Sequence, residues 1–276
     1  MLHTRSTDLL EYSEEMARKA LRQTSMDKTM SVLVRAEIAV GHPLIESTTL
    51  ELRDWLDGRK LSAKTRYAYI SHLATFWRWA LAVERATKNP TLRLTRPRLR
   101  QGLPRPVPNQ DLITLLEQAP SAELRAMVVL AAHAGLRCME IAGLRADEIM
   151  QHLEPPVLVI THGKGDKPRV IPISLLTIET LRAFGVPSYG PLFRYEDGAP
   201  YQPWKVSHML RGHMHNCGIN ASAHQLRHSF GTEVYRRSGD LRMTQELMGH
   251  SSPSTTAGYT QWNQIKAAAV VDTLFT

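Results

Sequence analysis

Residues 157–173 read VLVITHGKGDKPRVIPI, and the reading of this stretch decides the fold class. Two short runs rich in Val and Ile, VLVIT and RVIPI, flank HGKGDKP, whose glycines and proline suit a turn. The pattern predicts a β-hairpin with a Gly-rich tip that carries Lys164. Upstream the periodicity is helical. NQDLITLLEQA and SAELRAMVVLAAHAGL bring apolar residues back every three to four positions, and the second ends at Gly135, a residue suited to the left-handed conformation after a helix. Downstream, WKVSHMLRGHMHNCG, HQLRHSFGTEVYRRSG and LRMTQELMGH return to helix. The second half of the chain is therefore expected to be α+β, a small β-hairpin or sheet set among helices.

The first half reads as all-α, so the protein as a whole is mainly α. SAKTRYAYISHLATFWRWALAV predicts a helix capped by Ser62, with Ile70, Leu73, Phe76 or Trp77, and Ala80 or Leu81 recurring on one face. A shorter helix near Leu50–Leu56 and one or two helices before Val40 complete this domain. Between the halves, residues 85–110 hold seven basic residues, no acid, and Pro90, Pro97, Pro104, Pro106 and Pro108, which interrupt a helix and favour an extended path. The expected organisation is an N-terminal domain over residues 1–92, a basic Pro/Arg linker over 93–107, and a second domain over 108–276 with a C-terminal tail helix. The linker is either a solvated spacer or a strap across a phosphate backbone. The absence of acid favours the strap, with Arg93, Arg96, Arg98, Arg100 and Arg105 as its DNA-binding residues.

Charge narrows the function classes. Thirty-four Lys and Arg against 26 Asp and Glu give a formal net charge of +8, which points to a polyanionic partner. No apolar run approaches the roughly 18 residues of a membrane-spanning helix, and MLHTRSTDLLEYSEEM lacks the apolar core of a signal peptide, so nucleic acid leads over membrane. Cys138 and Cys217 lie far apart without a CxxC pair, and a reducing cytoplasm is the natural compartment. His208, His213, His215, Cys217, His224 and His228 include ligands for a soft metal, but side chains two apart diverge on a helix and no metal is expected.

The residues able to do chemistry are scattered along the second domain. Arg137 emerges where an apolar helix gives way to a turn, with Glu140 three residues on and on the same face. The two form either a structural ion pair or an arginine held rigid so that its remaining donors face a phosphate. His224 and Arg227 share a face at a helix start, where both reach one anion. His250 closes the next helix, and Tyr259 follows nine residues later, past SSPSTTAG. Breaking and rejoining a phosphodiester without an energy source needs a side-chain nucleophile, cations for the non-bridging oxygens and an acid for the leaving oxygen. The set contains each part.

GLRCME, GKGDKPRVIPI, HQLRH, LMGH and Tyr259 occur in this order, with His250 lying 23 positions after Arg227. In these motifs the chain resembles the tyrosine recombinase (phage integrase) family from about Val107 to its end. The resemblance implies a site-specific DNA recombinase in which Tyr259 attacks the scissile phosphate to give a 3′-phosphotyrosine and a free 5′-hydroxyl. Arg137 and Arg227 would grip the non-bridging oxygens, Lys164 would protonate the leaving oxygen, His224 and His250 would assist proton transfer, and Glu140 would orient the arginines. It implies no cofactor, double-stranded DNA recombination sites as substrate, a homotetramer on DNA, an excision or DNA-bending accessory protein as a further class of partner, and a nucleoid-associated place in the cytoplasm. Without room for an arm-binding domain, the expectation is a simple integrase of a phage or mobile element, with a Xer-like dimer resolvase as the alternative. Two other classes stay open: a catalytically inactive DNA-binding protein, and a metal-dependent nuclease, which would need acids clustered more closely than Asp147, Asp166 and Asp240. The tail QWNQIKAAAVVDTLF offers Trp262, Ile265, Ala269 and Leu274 as an apolar helix face, for its own domain or a neighbour's.

Overall fold

In the computed structural model, which describes residues 6–21, 23–99, 105–161 and 168–249, the chain divides into two compact units, Met1–Arg100 and Gln101–Thr276. The first is built from α1 (Thr7–Arg18), α2 (Gln23–Val40), α3 (Thr49–Asp57) and α4 (Ala63–Ala82). Two of its helix starts follow from side-chain caps. Thr48 and Glu51 form a reciprocal capping box at α3, and the Ser62 hydroxyl accepts the Thr65 N–H at 3.1 Å to begin α4. The predicted stripe on α4 is buried at Ile70, Leu73, Phe76, Trp77 and Ala80, while Leu81 turns outward. Phe76 meets Tyr12 and Trp77 edge-on, with ring centroids 5.4 and 5.1 Å away, and so ties α1 to α4. The proline-rich stretch begins with a 3₁₀ turn, Pro90–Arg93, capped by Asn89, and Leu94 then returns to this core.

The second unit runs α5 (Asn109–Glu117), α6 (Ala122–Ala132), α7 (Cys138–Gly143), β1 (Ile149–Met150), β2 (Val157–Ile160), β3 (Arg169–Pro172), α8 (Leu175–Phe184), α9 (Pro203–Asn216), α10 (Ala223–Ser238) and α11 (Leu241–Met248). From Ala126 to Ala132 α6 is apolar on every side and wholly buried, and it forms the centre. α5, α8, α9 and α10 pack around it. It stops at Ala132, and Gly135 takes the left-handed conformation at φ +65° three residues later.

The predicted strands form and pair antiparallel, with Leu158 opposite Ile171 and Ile160 opposite Arg169. A third strand, β1, joins the far edge of β2, which neither the two-residue length nor the composition of β1 signals. α8 is likewise an addition to the sequence reading. Leu158 and Ile171 are fully buried and Val170 is exposed, so the pleat alternates as a one-sided sheet should. Arg169 lies two residues before Ile171 and therefore faces the same buried side. The hairpin tip with Lys164 lies outside the described residues, as do Arg100, His250, Tyr259 and the tail.

Candidate active site

Glu140 occupies the third position of α7, from which a carboxylate reaches back to the start of its own helix. Its Oε2 accepts the Arg137 N–H at 2.8 Å, and its Oε1 accepts Arg137 Nη1 at 2.8 Å. From β3, Arg169 closes on the same carboxylate with a two-pronged contact, Nη1 to Oε1 at 2.9 Å and Nη2 to Oε2 at 2.8 Å. Arg227, on the second turn of α10, brings Nη1 to 3.7 Å from Oε2. The Glu140 side chain is wholly buried, and the guanidinium side chains are 1 % (Arg227), 8 % (Arg169) and 19 % (Arg137) exposed, so Arg137 is the one that reaches toward solvent.

Burial pushes the Glu140 carboxyl upward. The hydrogen bonds and charge of Arg169, the Arg137 N–H and the charge of Arg227 outweigh that and hold it at about 2. One carboxylate against three guanidiniums leaves a surplus of positive charge in a dry setting. Such a centre is suited to hold an oxyanion through charge-assisted hydrogen bonds.

Each of the three arginines also sends one nitrogen to the end of α11. Arg169 Nε donates to the Leu247 carbonyl at 3.1 Å, Arg227 Nη2 to the Met248 carbonyl, and Arg137 Nη2 to the Gly249 carbonyl at 3.0 Å. These are the unpaired carbonyls at the negative end of a helix, where cations belong. Arg227 Nη1 also donates to the Gly135 carbonyl, which links the turn after α6 to α10. The chain leaves α11 through Gly249 in the left-handed conformation, and His250 is the next residue in sequence.

Of the residues predicted from sequence, Arg137, Glu140 and Arg227 are brought together here. His224 is exposed on the first turn of α10, its ring against that of His228 at 4.4 Å. His228 is partly buried. Desolvation first, then the charges of His224 and Arg227, push it down to about 4, which keeps it neutral near pH 7. Arg93, Arg96, Arg98 and Arg105 are all exposed, and the Arg96 guanidinium lies over the Tyr67 ring at 5.6 Å. His213 is buried with Nε2 on the Leu115 carbonyl at 2.8 Å, a structural role. Among the described residues no three His, Cys, Asp or Glu side chains gather into a metal-binding group. Nor is any described helix long and apolar enough to cross a membrane.

Arg169 is the member of the cluster that the sequence reading left out. Its signal was present: period-two alternation in RVIPI makes Ile171 and Ile173 inward, which puts Arg169 inward too, and an inward arginine requires a buried counter-charge.

The model of the phage integrase family matches residues 108–265. Tyrosine recombinase XerC of Azotobacter vinelandii is 30% identical over 262 residues, covering 86% of this chain and 87% of that protein. Tyrosine recombinase XerA of Pyrococcus furiosus is 32% identical over 184 residues, and this match spans 61% of each chain, less than two thirds of the relative's length. Among solved structures, a lambda integrase(75-356) dimer bound to a COC' core site shares the fold with a TM-score of 0.76 at 19% identity, covering 93% of this chain and 97% of that one.

Proposed function

The chain belongs to the phage integrase family, and from that premise we propose that it is a site-specific DNA recombinase, an integrase that cuts and rejoins DNA strands through a 3′-phosphotyrosine on Tyr259. The observation that carries the reading is the convergence of Arg137 and Arg227, 90 residues apart in sequence, on the single buried carboxylate of Glu140. Guanidiniums anchored in this way lose little further freedom when they meet the two non-bridging oxygens of a phosphate. Tyr259 supplies the nucleophile, Lys164 the proton for the departing 5′-oxygen, and His224 and His250 assist proton transfer. The phosphodiester is exchanged for a phosphotyrosine ester, so bond energy is kept and the reverse attack by a 5′-hydroxyl rejoins the strand. No metal or cofactor takes part.

The partners in this reading are double-stranded recombination sites, bound by a homotetramer, together with an excision or DNA-bending accessory protein, in the nucleoid. The match to a Xer protein along most of both chains favours one second reading, resolution of chromosome or plasmid dimers. The test uses duplexes selected from a random pool by binding and then nicked beside the scissile phosphate, so that the short 5′-hydroxyl fragment diffuses away after cleavage. Peptide mapping should find the nucleotide on Tyr259. Cleavage with no protein adduct, or with linkage to another side chain, defeats the reading.

The exposed linker arginines bear on affinity rather than chemistry. In the strap reading, changing Arg93, Arg98 and Arg105 together to Gln should reduce the slope of log affinity against log salt by about 2 to 3, at roughly 0.9 per phosphate neutralised. An unchanged slope in a salt titration removes the linker from the interface.

A further inference from the structure

We propose that Arg169 is the positioning residue of this site: by filling acceptor positions on Glu140 it keeps that carboxylate from drawing Arg227 away from the phosphate. The proposal rests on the recombinase reading above. A carboxylate offers about four lone-pair positions to donors. Around Glu140 they are taken by the Arg137 N–H, Arg137 Nη1, Arg169 Nη1 and Arg169 Nη2, at 2.8, 2.8, 2.9 and 2.8 Å. Arg227 Nη1, at 3.7 Å, feels the charge but makes no hydrogen bond to it. Its donors go instead to the carbonyls of Gly135 and Met248.

Without the Arg169 guanidinium, two acceptor positions on a fully buried carboxylate would stand empty beside Arg227. Leaving them so is costly, because a buried charge without its bonds loses solvation that nothing replaces. Arg227 therefore shifts Nη1 onto Glu140 and away from the Gly135 carbonyl, and Nη2 carries the Met248 carbonyl with it. Both the phosphate-gripping guanidinium and the end of α11 move with it.

A second contact fixes the same two parts. Arg169 Nε holds the Leu247 carbonyl at 3.1 Å. A Cβ at Gly249 would stand 3.0 Å from Arg169 Cδ and 3.0 Å from Nη1, at a φ of +58° that side chains rarely adopt. The glycine before His250 is thus matched to the arginine on β3. Only a guanidinium serves Oε1, Oε2 and a carbonyl at once, whereas a lysine would be a point charge at one of them. Each nitrogen of Arg169 has a protein acceptor, so it acts through Glu140 and α11 rather than on the phosphate.

The experiment compares the parent, Arg169→Lys and Arg169→Met, each also with Glu140→Gln, for DNA affinity and for the rate of adduct formation at saturating protein on the nicked duplex. Arg169→Met should slow the adduct about 100-fold with affinity within about threefold, and Arg169→Lys should recover about tenfold of the loss. In the Glu140→Gln background the same Arg169→Met change should cost less than about tenfold, because the charge that captures Arg227 is gone. Should Arg169→Met fail to fold, Arg169→Lys runs the same cycle under the same criterion. Equal losses in both backgrounds reduce Arg169 to a brace of the fold and overturn the proposal, as does a variant as fast as the parent. A parent that forms no adduct defeats the recombinase reading itself, which is a separate outcome.

Discussion

Glu140→Ala is expected to lower the unfolding free energy by about 3–5 kcal/mol and to abolish detectable adduct formation. The reason is arithmetic of charge in a dry place. The substitution takes from Arg137, Arg169 and Arg227 the carboxylate they share, and Arg227 is 1 % exposed and Arg169 8 %. Breaking one side of a buried ion pair costs about this much because the remaining charge cannot be solvated. It also removes the acceptor of the Arg137 N–H at the start of α7. Glu140→Gln keeps the shape and some acceptors and should cost clearly less. Comparing the parent with that variant also isolates the carboxylate's pH dependence. The Glu140 carboxyl is held at about 2 against an ordinary 4.5, so its contribution is fully present above about pH 4.5 and is lost as pH falls toward about 2. Chemical denaturation of both proteins from pH 7 to pH 3 should therefore show their stability difference narrowing below pH 4.5. A difference that stays constant through that range would mean the carboxylate is not held by its charge.

The elements that could be read from sequence are those whose cause is local. Helix α4 announces itself through Ser62 and the buried stripe from Ile70 to Ala80, both of which depend on residues three or four apart. The hairpin follows from Val/Ile runs around a Gly-rich turn. β1 does not, because two residues make a strand only where the edge of β2 stands ready to pair. The site divides in the same way. Arg137 and Glu140 are neighbours on one helical turn, and Arg227 sits in a recognisable motif. Arg169 meets Glu140 from 29 residues away, and the need for it appears only when the acceptors of one carboxylate are counted in space. Whether Arg137 and Glu140 formed a structural pair or a phosphate holder stood as a choice in the sequence. The geometry makes the pair structural and leaves Arg137 the most exposed of the three guanidiniums, so the two descriptions are compatible.

Gly135→Ala should destabilise the second unit by about 2–5 kcal/mol and slow adduct formation further than the stability loss explains. Two costs add. At φ +65° an alanine strains its own backbone by about 1–2 kcal/mol. Its Cβ would also stand 2.3 Å from Phe230 Cδ1, far inside contact distance, so the ring has to move at a further cost of about 1–3 kcal/mol. Phe230 is three residues after Arg227 on α10, and the Gly135 carbonyl is itself an acceptor of Arg227 Nη1. Displacing the ring therefore shifts the helix that carries the guanidinium and moves the carbonyl that orients it. Gly239→Ala is the matched control, since Gly239 has φ +68° and nothing within 4 Å of an added Cβ, leaving backbone strain alone. The difference between the two variants in denaturant unfolding measures the collision with Phe230. Phe230→Leu introduced beside Gly135→Ala should return part of that difference by opening space. If Gly135→Ala costs no more than Gly239→Ala, the close packing of the α6 turn against α10 is not what holds Arg227 in place.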